Sequence, residues 1–150
     1  MADITLKGDK KLIARLEGIA SEAKLKQALR KACALVERSA KEKAPKTPKS
    51  DGDLRRSITS EIDESTGKPR GIVFTPLEYA PYVEYGTGLF AEEMGRKDVP
   101  WVYKDEKGEW HTTSGMHPHP YMRPALYENR KQILNYLKQI AEEKEDSSDE

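Results

Sequence analysis

The sequence contains one cysteine, Cys33. That excludes an intramolecular disulfide and a metal site built from cysteines alone. On a predicted apolar helix face, it reads as a small buried residue. No apolar run approaches the roughly 20 residues needed to span a bilayer, so no membrane contact is expected. Met1-Ala2-Asp3-Ile4-Thr5 carries neither a basic nor an apolar signal region, which predicts a start in the cytoplasm. Neither sign of charge is in excess. Lys+Arg and Asp+Glu both number 26, so the overall balance gives no support to a nucleic-acid binder. There is no Gly-x-Ser-x-Gly turn and no glycine-rich phosphate loop, and Cys33 has no activating neighbour. Neither catalysis nor a cofactor is expected.

What remains is 35% charged and 36% hydrophobic, with a mean hydropathy of −0.84. That predicts a lean core under a heavily charged surface, within one domain over 1–141. Gly8-Asp9 starts a predicted first helix with Leu12, Ile13, Leu16 and Ile19 at helical spacing, after a short extended Ile4–Leu6. Ser21 caps a stronger helix whose stripe is Leu25, Ala28, Leu29, Ala32, Leu35, Val36 and Ala40, ended by Pro45. A turn-rich loop follows, over 44–53. Leu54, Ile58 and Ile62 share one parity, which predicts a half-buried strand returning through Gly71–Thr75.

Pro81 opens and Gly86 closes a predicted short helix carrying Tyr79, Tyr82 and Tyr85. One helical turn is predicted at Phe90–Met94, and two strands at Trp101–Tyr103 and Trp110–Thr112. A last helix begins at Pro124, with Leu126, Ile133, Leu134, Leu137 and Ile140 on one face. Residues 142–150 read as a solvated acidic tail, disordered. The order predicts an α+β fold: N-terminal helices and a C-terminal helix packed on a small antiparallel sheet, with a hairpin loop inserted at about 88–116.

Four segments in this order resemble one family. They are Lys43-Ala44-Pro45, Gly52-Asp53-Leu54-Arg55-Arg56-Ser57-Ile58, Tyr79-Ala80-Pro81-Tyr82-Val83-Glu84-Tyr85-Gly86-Thr87 and Pro120-Tyr121-Met122-Arg123-Pro124-Ala125-Leu126. The chain is similar, from about Leu12 to Ile140, to the HK97-type minor structural proteins of long-tailed bacteriophages and prophages, variously called tail component, neck or head–tail joining protein. The resemblance implies an α+β protein without catalytic role, made in the host cytoplasm and then part of the virion tail or neck. It implies other connector or tail proteins as partners, and a homo-oligomeric ring. The family often has phenylalanine in the last motif, where this chain has Tyr121 and Met122.

By the resemblance, the assembly and motif residues are Leu54, Arg55, Ser57, Ile58, Tyr79, Ala80, Tyr82, Val83, Glu84, Gly86, Thr87, Pro120, Arg123, Pro124 and Ala125. The two tyrosine-bearing segments are expected to meet, with Glu84 pairing with Arg123 or a backbone donor. The rings are expected either to pack the local core or to bind a partner; contact surfaces favour Tyr, Trp, Met and Arg.

Two alternatives compete. The basic stretch 41–56 makes Lys46, Lys49, Arg55 and Arg56 candidate non-specific DNA contacts, against a solvated loop. His111, His117 and His119 could serve a metal-dependent hydrolase, against a rigid surface His-Pro loop.

Overall fold

The computed structural model describes residues 22–46, 52–92, 95, 98–105 and 107–145, and for 141–145 the backbone course alone. The first helix and the extended lead-in expected before Ser21 lie outside these residues.

Helix α1 runs from Glu22 to Lys43 and is the element against which the first hairpin, the Asp53–Ser57 segment and the C-terminal helices are packed. Its buried face is Ala28, Ala32, Cys33, Val36 and Ala40, while Leu25, Leu29 and Leu35 flank it half-buried. Small side chains along one stripe let neighbours approach closely. α1 packs against both strands of the first hairpin and both C-terminal helices. At Gly71 the hairpin backbone comes so near that a Cβ there would meet the Cys33 sulfur at 2.5 Å. Cys33 is thus the small buried residue its helical position suggested.

The predicted strand at Leu54 is a correction. Asp53–Ser57 forms a short helix, α2, entered through Gly52 at φ +81°, and the strand β1 is Thr59–Asp63. Leu54 and Ile58 are both buried, but across a helical turn. A spacing of four satisfies a period of 2 and a period of 3.6 alike, so parity could not separate them. The Ser57 hydroxyl donates to the Leu54 carbonyl at 2.7 Å and shares a second 2.7 Å hydrogen bond with Thr75. β1 pairs antiparallel with β2, Arg70–Phe74, in the register Thr59↔Phe74 to Asp63↔Arg70. The Asp63–Arg70 ion pair closes its turn end.

Helix α3, Ala80–Tyr85, follows, with Pro81 in its first turn as predicted, and then a 3₁₀ turn at Gly88–Phe90. The turn expected at Phe90–Met94 lies partly outside the described residues, at 93 and 94. β3, Trp101–Lys104, and β4, Trp110–Thr113, form a separate two-stranded antiparallel sheet.

The predicted C-terminal helix is two helices, α4 at Met122–Glu128 and α5 at Arg130–Glu145. Asn129 divides them, its side-chain amide donating to the Ala125 carbonyl at 2.7 Å. An asparagine that bonds the preceding turn competes with helix propagation. α5 runs on through 142–145, the first residues of the stretch read as a disordered tail; 146–150 lie outside the described residues. Ile133 and Ile140 are buried, with Leu126, Leu134 and Leu137 half-buried. The fold is α+β, with two small antiparallel hairpins among the described residues. Ala44, Leu54, Ile58, Ala80, Val83, Tyr121 and Ala125 belong to one core cluster, so all four segments that carry the resemblance contribute to it.

Candidate functional site

The two tyrosine-bearing segments meet through one carboxylate. Glu84 is 4% exposed, a cost that donors must offset. Its Oε2 accepts the Tyr121 and Met122 backbone N–H groups at 2.8 and 2.9 Å. Its Oε1 accepts the Arg123 backbone N–H at 3.0 Å and Arg123 Nε at 2.9 Å. One side chain therefore satisfies the opening N–H groups of α4, which have no partner within their own helix. Burial pushes this carboxyl up, but the three N–H groups and the Arg123 guanidinium together outweigh burial and hold it below its ordinary value.

Arg123 extends the clamp. Its guanidinium bonds Glu92 at 2.8 and 3.0 Å and the Glu84 carbonyl at 3.2 Å, and lies 4.5 Å over the Tyr85 ring. Tyr121 is 2% exposed and donates its hydroxyl to the Ala80 carbonyl at 3.3 Å. Burial pushes that phenol up, so it stays a neutral donor. The His119 N–H to the Val83 carbonyl, at 2.7 Å, completes the seam.

Because Ala80, Val83 and Glu84 take the inner face of α3, the rings go elsewhere. Tyr79 and Tyr82 are exposed, at 38% and 59%, and Tyr85 is half-buried under Arg123. The rings do not fill the core; Tyr121, from the other segment, does. Leu89 and Phe90, just beyond, are exposed too. Leu54, Ile58, Ala80, Val83, Gly86 and Ala125 are buried, Ser57, Thr87, Arg123 and Pro124 are half-buried, and Pro120 is exposed. Periodicity alone had no way to mark Glu92, since its role depends on where Arg123 reaches.

The basic stretch is neutralised within the fold at three points. Lys41 pairs with Glu37 and Lys43 with Glu128, each at 2.6 Å, and Arg56 pairs with Asp53 at 2.5 Å. Lys46 is exposed, Arg55 is half-buried with its Nε unpartnered, and Lys49 lies outside the described residues. The three histidines do not form one ligand group: His111 bonds Asp105 at 2.8 Å, and His117 stacks on Phe90 with ring centres 3.9 Å apart. No helix among the described residues is long and apolar enough to cross a membrane.

A short helix is thus clipped to a distant segment by a saturated carboxylate, with Tyr79 and Tyr82 held outward. Residues 10–86, just over half of the 150, match the model of the family described as "Bacteriophage HK97-gp10, putative tail-component". The chain belongs to this family, a structural component of phage tails. The match ends at Gly86, so it includes Glu84 but not the segment that the carboxylate holds. No curated protein and no solved structure matches the chain.

Proposed function

We propose that this tail component acts in tail completion or at the head–tail junction, through protein–protein contacts made by the outer face of α3 and the turn that follows it. The observation that carries this reading is the outward display of Tyr79, Tyr82, Leu89 and Phe90 on a segment held by the Glu84–Arg123–Glu92 clamp. Rigid exposed aromatics give large contact area with little ordering left to lose on binding. The partners on this reading are other phage tail or connector proteins, and a closed ring of copies fits the rotational symmetry of a tail. The chain is made in the host cytoplasm and ends in the virion.

The test is mass spectrometry of purified particles from an induced source culture, alongside particles made with Y79A/Y82A as the sole copy. Wild-type peptides at a few copies per particle, and their loss in the variant while the free variant stays folded, are expected. Absence of the wild-type chain from intact particles overturns the proposal.

A further inference from the structure

The second hairpin carries a feature that contact with a tail partner does not require. β3 and β4 are joined by 105–109, and Asp105, Glu109 and His111 each bring a ligand atom within 4.8 Å of the other two. Two carboxylates and an imidazole are thus collected at one end of a hairpin exposed on most of its surface.

Their positions follow from the turn. Gly108 takes φ +82°, which bends the chain back so that Asp105 and Glu109 face each other, the Asp105 N–H donating to the Glu109 carbonyl at 2.9 Å. Asp105 Oδ1 accepts the Lys107 and Glu109 N–H groups, each at 2.9 Å. That fixes the carboxylate plane and turns Oδ2 toward His111 Nε2, 2.8 Å away. The imidazole is held on its other side by Tyr103, whose ring stacks on it at 5.4 Å between centres. The Asp105 carboxylate is therefore fixed by backbone N–H groups, and the imidazole by Asp105 and the Tyr103 ring. Two of the three groups are thus oriented in advance, the ligating carboxylate being itself hydrogen-bonded. The third, Glu109, is exposed and pairs with no lysine or arginine among the described residues. Lys104, the last residue of β3, has its ammonium 5.7 Å over the Trp110 ring.

We infer that Asp105, Glu109 and His111 form a binding site for a divalent transition-metal ion, which ties the two strands of the hairpin together across their loop. An imidazole with two carboxylates suits zinc, nickel or copper better than calcium or magnesium, which take oxygen alone. Asp105 Oδ2 and His111 Nε2 share one proton in the metal-free hairpin. The ion takes the place of that proton, which moves to Nδ1 or leaves to water. Three protein ligands leave at least one coordination position open, for water or for a side chain of a neighbouring virion protein. The site lies outside the residues that carry the proposed tail contact, so it stands or falls separately from that reading.

The experiment is isothermal titration of zinc chloride into the full-length protein after treatment with a chelator, at neutral pH. Saturable binding of one ion per chain is expected. Affinity falls on the order of 100-fold in H111A and at least about 10-fold in E109Q, and is unchanged in H117A and H119A. E109Q changes an exposed side chain and keeps the backbone bond to Asp105, so it carries the test even where H111A fails to fold. Absence of saturable binding, or equal affinity in wild type and E109Q, overturns the inference. The second outcome would mean that zinc is held loosely by carboxylates elsewhere.

Discussion

Glu84 shows how much one side chain can decide. Its two oxygens serve four donors. In Glu84→Gln one oxygen becomes an NH₂ that cannot accept, so two of those donors face a donor. With a buried partner of Arg123 lost as well, the expected cost is about 3 kcal/mol in urea unfolding. The same group sets an acid limb. Its folded carboxyl lies below its ordinary value of 4.5, so the unfolded chain binds more protons, and the stabilisation is complete above that value and lost as pH falls through the lower folded one. Glu37 (held by Lys41), Glu92 (by Arg123) and Asp105 (by His111) are shifted the same way, and Arg70 holds Asp63 down to about 2. The Tm by scanning calorimetry should be level at mildly acidic pH and fall between about 4.5 and about 2, with a shallower fall in E84Q. A Glu84–Arg123 contact was legible from the two segments. A backbone donor was expected as the alternative partner; that Glu84 takes both, and that the N–H groups are those of Tyr121, Met122 and Arg123, was not legible, because a backbone donor has no letter in a sequence.

At the scale of elements, the second hairpin is joined to the rest through a backbone seam. Thr87 N–H donates to the Met116 carbonyl at 2.9 Å and Leu89 N–H to the Ser114 carbonyl at 3.0 Å. Gly88 and Gly115 face each other across this seam. A Cβ on Gly115 would meet the Thr87 carbonyl oxygen at 2.1 Å, and its φ of +124° is one that other residues avoid. Gly115→Ala is therefore expected to cost about 2 kcal/mol or more. It should also speed hydrogen exchange at Thr87 and Leu89 while leaving the amides of α1 protected. Equal exchange rates at the seam in variant and wild type would show that the glycine is not needed for closure. The two strands of the hairpin were legible from their aromatic residues and the polar loop between them. The seam was not, because it joins residues more than 20 apart through main-chain atoms. The break at Asn129 was equally hidden, since an apolar stripe of helical period runs across both helices.

For the whole molecule, the division that matters is between rings that hold the fold and rings that face outward. Tyr121, 2% exposed, and Tyr82, 59% exposed, are the same residue type in two neighbouring segments. Tyr121→Ala should cost about 3–5 kcal/mol by removing a buried ring. Tyr82→Ala should stay within about 0.5 kcal/mol of wild type. On the proposed function the ranking reverses for particle assembly among variants that fold: Y82A stays soluble and stable but is not incorporated. Thermal unfolding of both purified variants, with a particle count from the complementing culture, measures the two effects separately.

The sequence by itself determined what local spacing can carry. It was enough for the α1 stripe, the two hairpins, the proline-opened α3, the α+β class and the order of segments that marks a phage tail component. Each of these depends on residues within a few positions of one another, or on a pattern preserved in chain order. Tertiary structure alone decided which tyrosine is buried and that Leu54 lies in a helix rather than a strand. It also turned Glu84 into a cap for α4 and gathered Asp105, Glu109 and His111 around one point. These outcomes depend on which face a turn presents to a distant partner, and on backbone donors whose direction is set only once the chain has packed.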